Sequence, residues 1–177
     1  MDDTRYRIIE ELRPGILTDL VRLHMDYYGP EWGLGERFEA GLIDGFGKFE
    51  SRFDPAHDYF AYVRNRHGNV VGMIALDGID RDGEGGRLRW FIVDAKTGSA
   101  GIGRELIAHA LAFADNNGFA RVWLTTFPGL DAARHLYEAH GFVLAGEHTE
   151  DHWGGGQGEQ TFLRRRNTPP HKGNGPP

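Results

Sequence analysis

A glycine-rich turn is the segment of this chain whose residue types and spacing best suit binding chemistry. Residues 93–106 follow a strand-like stretch, run directly into a helical pattern and include Gly98, Gly101 and Gly103. The first N–H groups of a helix have no partner inside the helix, and the helix dipole favours an anion there. Glycine also lacks the Cβ that would hold a phosphate away from the backbone. The turn therefore predicts a phosphate-binding site.

Two common phosphate motifs do not match this turn. A dinucleotide fingerprint, G-x-G-x-x-G, would need glycine where the chain has Leu106, and no acidic residue stands in the required place about 20 residues further on. A Walker A loop needs Gly-Lys followed by Ser or Thr, which the chain lacks. A dinucleotide site is disfavoured and a P-loop is excluded.

Composition narrows the functional class. The 177 residues carry a net charge of −6, which gives no basis for a nucleic-acid-binding surface. The absence of cysteine excludes disulfides, thiolate metal sites and a cysteine acyl-enzyme, and we predict no metal site. The acidic start, Met1-Asp2-Asp3, is followed by no apolar run, so we expect no signal peptide, no membrane span and a cytoplasmic protein.

The periodicity of apolar residues predicts seven strands and four helices. Gly29-Pro30 is expected to stop the first helix. The predicted strands are 6–12, 59–65, 69–76, 87–93, 121–126, 142–147 and 160–164, and the predicted helices are 16–28, 37–53, 101–117 and 131–139.

This order of elements predicts the fold class. Antiparallel strands followed by alternating strands and helices indicate an α/β (α+β mixed) protein, with a mostly antiparallel sheet of six to seven strands and helices on both faces. The crossover from Val93 to Arg121 should give a parallel pair. We expect a single domain over residues 1–165 and a disordered tail over 166–177.

The turn resembles motif A of the GCN5-related N-acetyltransferases (GNAT), roughly V-x-P-x-x-R/Q-G-x-G-x-G/A. Val93, Gly101, Ile102 and Gly103 match that pattern in register. Residues 133–142 resemble a second block of the family, A-x-x-L/F-Y-x-x-x-G-F, at the usual distance downstream. The resemblance covers roughly residues 5–165, and two blocks in the correct order are more specific than either alone.

Further stretches are similar to a subgroup of this family, the acetyltransferase domain found in MarR-GNAT fusion proteins, where it follows a winged-helix DNA-binding domain. These stretches are 89–91, 122–127, 129–137, 153–154 and 159–160.

The turn also departs from the family pattern. The family usually has Arg or Gln at the position of Gly98, Gly at that of Ser99 and Pro at that of Ala95. The missing Arg removes a side-chain contribution only, because most phosphate contacts there come from backbone N–H groups. Lys96 and Arg104 supply positive charge nearby.

The resemblance implies acetyl-CoA as the cofactor, held by two groups of residues. The pantetheine arm would pair with a strand edge, at a splay between that strand and strand 121–126. The implied residues are Phe91, Ile92 and Val93 for pantetheine, and Gly98, Ser99, Ala100, Gly101, Ile102, Gly103 and Arg104 for the pyrophosphate.

Tyr137 is the implied catalytic residue. A phenol has a pKa of about 10, against about 8.5 for a thiol, so it can donate a hydrogen bond or a proton to the departing thiolate. Reaction is expected by direct attack in a ternary complex. The alternative is that Tyr137 is a core aromatic residue beside Leu136 and Phe142.

Aromatic and acidic residues in two loops predict the acceptor site. Indoles and carboxylates can hold an amine by cation–π and ionic contacts. The predicted acceptor-binding residues are Tyr28, Glu31, Trp32, Glu36 and Trp153. The alternative is that Trp32 and Trp153 are aromatic cover for an edge of the core. The general base stays open among His24, Tyr28, Glu31, Glu36 and His152, each of which is alternatively a solvated surface residue.

The sequence thus predicts an acetyl-CoA-dependent N-acetyltransferase acting on the primary amine of a small-molecule or amino-acid-like acceptor. The alternative is a non-catalytic acyl-CoA-binding or sensing module, motivated by Gly98 and Ser99. We expect no nucleic-acid or membrane partner, and a homodimer is compatible with the family.

Overall fold

The structure is a computed structural model that describes residues 6–97, 101–149, 156 and 158–166. Seven strands and four helices correspond closely to the predicted elements. In chain order they are β1 Tyr6–Ile9, α1 Ile16–Trp32, α2 Glu36–Arg52, β2 Tyr59–Asn65, β3 Val70–Asp77, β4 Gly86–Val93, a 3-10 turn Ala95–Thr97, α3 Ile102–Asn116, β5 Arg121–Thr126, α4 Asp131–Ala139, β6 Val143–His148 and β7 Glu159–Arg165.

The strands form one sheet in the order β1-β2-β3-β4-β5-β7-β6. Only β4 and β5 pair in parallel, while every other neighbouring pair is antiparallel. The parallel pair arises because β4 leads into α3, which crosses the sheet before β5 returns in the same direction. The predicted mixed, mostly antiparallel sheet is confirmed.

Helices cover both faces of this sheet, as predicted. Successive strand residues point to opposite faces, so Ala61 and Val63 of β2 join the core under α3, while Phe60 and Tyr62 join the core under α1 and α2. The α3 core is completed by Ile102, Leu106, Ile107, Ala110, Leu111 and Ala114. The inner strands are therefore buried on both sides, which fixes their register.

Strand β4 bends away from β5, and this creates the predicted splay. The two strands pair only at Gly86↔Val122 and Arg87↔Trp123. Beyond Arg87 the register of β4 against β3 shifts, and Trp90 takes a left-handed backbone conformation with φ 52°. Such a bulge kinks a strand and increases its twist. The two strands consequently diverge, which opens the sheet at its centre.

The prediction that Gly29-Pro30 stops the first helix is wrong, because α1 continues to Trp32. Pro30 removes one N–H donor, but it falls in the last turn of the helix, where its effect is limited. The helix ends instead at Gly33, whose φ of 65° places its N–H on the carbonyl oxygen of Gly29 at 3.0 Å. This extra turn carries Trp32 to the splay of the sheet.

The helices and the possible metal-ligating side chains of the described residues bear on membrane spanning and metal binding. None of the helices found there is both long and apolar enough to cross a membrane. Within the same part of the chain, no group of three or more His, Cys, Asp or Glu residues is arranged to hold a metal ion.

Candidate functional site

A cleft of about 1510 Å³ passes through the sheet where β4 and β5 diverge. One wall, the α3 side, includes the backbone edge of residues 91–93, residues 101–104 and Tyr137. The opposite wall, the α1 side, consists of Tyr28, Trp32, Arg87, Arg89 and Phe127. Because the gap lies between strands, groups from both faces of the sheet reach the same space.

The start of α3 leaves its first N–H groups available to a ligand. Gly101 adopts a left-handed conformation with φ 78°, and it has no side chain to cap the helix. A Cβ built on Gly101 would have no atom within 4 Å, so the space above this turn is open. Ile102, Gly103 and Arg104 line the cleft, as does Lys96 of the 3-10 turn. The sequence-predicted residues Gly98, Ser99 and Ala100 lie outside the described residues.

The edge of β4 forms the floor of the α3 side. Phe91, Ile92 and Val93 all line the cleft beyond the last β4–β5 pair. Their β5-facing backbone groups have no partner on that strand, so the edge can receive an extended ligand arm. Gly103 lets α3 approach this edge closely, because a Cβ there would lie 3.4 Å from Phe91 Cζ.

These features fit coenzyme A. An uncapped helix terminus with Lys96 and Arg104 nearby suits a pyrophosphate, and an unpaired strand edge suits an amide-bearing pantetheine arm. Every described residue of the predicted cofactor set lines one continuous cleft.

Tyr137 of α4 packs in the core and also lines the cleft. Only 4% of its surface is exposed, and its ring lies 5.9 Å from Phe91 and 6.0 Å from Phe142, measured between centroids. Burial raises the pKa of Tyr137 above its ordinary value, and nearby Tyr28 adds to this, while a side-chain hydrogen bond with Thr126 acts in the opposite direction. The phenol therefore stays protonated at neutral pH, so its O–H remains able to donate a hydrogen bond or a proton.

Aromatic rings form the α1 side. The ring of Trp32 stacks on Phe127 at 5.9 Å, and that of Tyr28 meets Phe127 edge-on at 5.8 Å. Glu31, whose side chain is exposed, also lines the cleft. Glu36 begins α2 with an exposed side chain and is not part of the cleft wall within the described residues. Trp153 and His152 lie outside the described residues.

His24 and Tyr28 lie in the cleft wall but are poorly suited to accept a proton at neutral pH. Burial lowers the pKa of His24 to about 4, and its Nδ1 lies 2.8 Å from the carbonyl oxygen of Leu20. The imidazole is therefore neutral and donates its Nδ1–H to that oxygen. Burial raises the pKa of Tyr28, so its phenol is also neutral.

Sequence reasoning missed the polar groups on the α1 side, chiefly Arg87 and Arg89. They line the cleft together with Thr125 of β5 and Glu159 of β7. One signal was present in the sequence: charged residues at alternate positions of β4, a strand whose other residues are apolar apart from Gly86. Such charges in a central strand indicate either buried ion pairs or a ligand.

Three solved structures illustrate what this chain resembles. An acetyltransferase from Streptococcus agalactiae 2603 matches with TM-score 0.73 and 24% identity over 92% of this chain and 99% of its own. A GNAT-family acetyltransferase from Staphylococcus aureus Mu50 matches with TM-score 0.72 and 18% identity over 90% and 98%. A spermidine N-acetyltransferase from Vibrio cholerae, in complex with CoA and spermine, matches with TM-score 0.66 and 20% identity over 92% and 96%. At these identities the matches show the fold.

The family of this chain is shown by its amino-acid sequence. No curated protein matches this chain. The sequence profile of the acetyltransferase (GNAT) family matches residues 17–142, from the first turn of α1 to the residue before β6. The matched region includes the start of α3, the diverging strands and Tyr137. The chain therefore belongs to the acetyltransferase (GNAT) family, whose enzymes use acetyl-CoA.

Proposed function

We propose that this enzyme transfers an acetyl group to the primary amine of a small-molecule or amino-acid-like acceptor, by direct attack in a ternary complex. The observation that carries the proposal is the cleft itself. It joins an open helix terminus and a protonated tyrosine on the α3 side to an aromatic wall on the α1 side. Two substrates can therefore meet without either leaving the cleft.

The α3 side holds the donor. The backbone N–H groups at the start of α3, from Gly101 to Arg104, bind the pyrophosphate, and Gly98, Ser99 and Ala100 stay predicted contributors to that site. Phe91, Ile92 and Val93 pair with the pantetheine arm through the free edge of β4. When bound, acetyl-CoA supplies the acetyl group as a thioester, which an amine can attack.

The residues of the chain then transfer protons and stabilise the charge that develops during the reaction. The acceptor must arrive as a neutral amine, whose nitrogen forms the new C–N bond as the C–S bond breaks. His24 and Tyr28 are not basic enough to take the amine proton. Water in the cleft therefore takes it, with Glu31 in the cleft wall and His152 as the predicted bases that stay open. Tyr137 donates its phenolic proton to the departing sulfur, so that CoA leaves as the thiol, and Tyr137 regains a proton from solvent, which balances the proton lost by the amine. A β4 backbone N–H beyond Arg87 stabilises the developing oxyanion.

The α1 side holds the acceptor. Tyr28, Trp32 and Phe127 enclose its apolar part, and Glu31 at the mouth of the cleft attracts an ammonium group before deprotonation. Trp153 stays a predicted contributor to this wall.

Free-CoA release across a panel of primary amines tests the proposal. Wild-type enzyme should release CoA only with an amine present, and Tyr137→Phe should turn over more slowly. Acetyl-CoA should also raise thermal stability, by about 2.7 kcal/mol at a hundredfold excess over its Kd. Tight acetyl-CoA binding with no amine turned over would favour the non-catalytic module instead, and stabilisation by NADH alone would contradict the donor assignment.

Three finer predictions about this protein accompany the proposal. Membership of the MarR-GNAT subgroup is supported by the stretches 89–91 and 122–127 of the sequence. A homodimer and a cytoplasmic location likewise stay predictions.

A further inference from the structure

Arg87 lies at the apex of the splay, on the last residue of β4 that pairs with β5. Its side chain is half-buried and lines the cleft. The guanidinium carbon stands 4.7 Å from the centre of the Trp123 ring, and Nη2 donates to Thr125 Oγ1 at 3.3 Å. Two contacts from β5 therefore hold this cation in one position.

The charge of Arg87 has no direct ion pair among the residues that the structure describes. Within the described residues, no carboxylate oxygen lies within 4.0 Å of its guanidinium. Two other arginines differ in this respect, because Arg52 of α2 and Arg89 of β4 both reach Asp77 Oδ2, at 2.5 Å and 3.1 Å. Arg52 also reaches Asp58 at 3.5 Å. Most N–H donors of Arg87 thus remain available to a ligand.

Burial makes this unpaired charge costly. Desolvation lowers the pKa of Arg87 and Arg89 lowers it further, while the more distant carboxylates of Asp77, Glu159 and Glu84 act in the opposite direction. An arginine does not lose its proton in a protein, so the cost persists until an anion enters.

We infer that the acceptor is an amine that also carries a carboxylate, and that Arg87 binds this carboxylate. The inference rests on the proposed function and names the substrate class of the same cleft. A planar guanidinium suits a carboxylate because two parallel N–H groups can bond its two oxygens.

The position of Arg87 agrees with an amino-acid acceptor. Thr125, which contacts Arg87, is followed directly by Thr126, which hydrogen-bonds Tyr137. Adjacent strand residues are about 3.4 Å apart along the strand. The side chains of Thr125 and Thr126 point to opposite faces of the sheet, so the anion subsite and the leaving-group site open into the same cleft from its two sides. This arrangement suits an acceptor that reaches through the splay with an amine at one end and a carboxylate at the other.

A polyamine suits the Arg87 end of the cleft poorly. A second ammonium group of such a substrate would meet the fixed positive charge of Arg87, and like charges repel at close range. The Vibrio cholerae enzyme that this chain resembles was solved with spermine, so a preference for a polyamine is the outcome that would contradict the inference.

The test compares acceptors that differ only in the carboxylate. L-phenylalanine is paired with phenethylamine, L-leucine with isoamylamine, and spermidine is added. Wild-type kcat/KM should favour each amino acid by at least about 30-fold. Arg87→Gln, which keeps a donor for Thr125, should lower kcat/KM for the amino acids about 100-fold and change the simple amines less than about 3-fold.

Arg164→Gln is the matched control. Arg164 is also half-buried, but it pairs with Asp115 at 2.8 Å and is not part of the cleft wall. This variant should change amino acids and simple amines equally. Arg87→Lys, which keeps the charge, serves as the second variant if Arg87→Gln fails to fold, and it should retain part of the preference.

A binding measurement separates this inference from the proposed function. Calorimetry on the CoA-saturated enzyme should show L-phenylalanine or L-leucine binding more tightly than its simple amine, with the difference lost in Arg87→Gln. If this difference in binding is found but no acetyl group is transferred, the proposed function is contradicted and the inference about Arg87 stands. Equal use of amino acids and simple amines, a preference for spermidine, or an equal loss for both classes in Arg87→Gln would overturn the inference.

Discussion

The two sides of the cleft offer a ligand different groups, chiefly backbone on the α3 side and side chains on the α1 side. Apart from the side chain of Tyr137, the α3 side relies on the backbone of two segments, residues 91–93 and 101–104, which are close in sequence. The α1 side relies on side chains from α1, α2, β4, β5 and β7, brought together only by the folded sheet. Binding through main-chain groups persists when side chains are substituted, whereas the ligand preference of a site made of side chains can change with a substitution.

This difference explains how the departures Gly98 and Ser99 fit an acetyltransferase. A side chain lost from a backbone site removes one contact of several, while the α1 side depends on fixed charges such as Arg87. We therefore expect substitutions to separate into two groups. Changes at residues 91–93 and 101–104 should affect the donor, a change at Tyr137 should affect the chemical step, and changes on the α1 side should affect the acceptor or the framework beneath it.

The largest effect is expected from Asp77→Ala, which breaks the framework of the α1 side. It leaves Arg89 without its buried partner and weakens the hold on Arg52. Removing one member of a buried ionic cluster costs about 3–5 kcal/mol of unfolding free energy. Urea denaturation measures the loss. Asp44→Ala, which removes an exposed pair with Lys48, should cost less than about 0.5 kcal/mol, and equal losses would contradict this account.

The next effect is a pH dependence from His24, which packs against the α1 side. Its pKa is about 4 in the fold and 6.5 as the ordinary value, so the folded state binds fewer protons. Stability from this group is complete above pH 6.5 and is lost as the pH falls towards 4, by about 3 kcal/mol. His24→Phe keeps a ring beside Phe46 but cannot titrate. Its unfolding free energy should vary less over that interval, and an unchanged slope would exclude His24 as the source.

Tyr137→Phe should lower kcat about 100-fold and leave the KM for acetyl-CoA within about 2-fold, because the phenol acts only as the sulfur departs. Steady-state kinetics on both substrates measures this. A kcat unchanged within about 2-fold would show that Tyr137 serves only in packing against Phe91 and Phe142.

The smallest effects come from a pair of glycines, one on each side. Gly101→Ala strains a left-handed position and should raise the KM for acetyl-CoA about 5-fold. In Gly45→Ala, the new Cβ would lie 3.2 Å from Trp90 Cζ2 and 3.3 Å from Arg89 Nη2, so it should raise the KM for the acceptor about 3-fold. Both KM values, for acetyl-CoA and for the acceptor, are measured for both variants. A change in the acceptor KM in Gly101→Ala, or in the acetyl-CoA KM in Gly45→Ala, would contradict the separation of the two sides.

The α3 side was predictable from sequence because its signals are local. The strand, the glycines and the helix pattern stand within 93–106, and Tyr137 lies in a second local block. The strands and helices themselves followed from apolar periodicity, which decides the faces that a sheet and its helices bury.

The α1 side was largely beyond sequence reasoning because it depends on register. Arg87 meets Trp123 and Thr125 only through the parallel β4–β5 pair, and a one-residue slip would turn it to the other face. The bulge at Trp90 breaks the alternation of β4 and conceals which residues face the cleft. Trp32 reaches the cleft because the left-handed Gly33, rather than Pro30, ends α1.

The most direct test of the account follows the acetyl group itself. Acetyl-CoA with a deuterated acetyl group is mixed with the enzyme and an amine, and both the amine and the intact protein are analysed by mass spectrometry. We predict that the label appears in an amide of the acceptor and that the protein stays unlabelled when the acceptor is omitted. Label on the protein before transfer, or label found only in free acetate, would contradict direct transfer to an amine in this cleft.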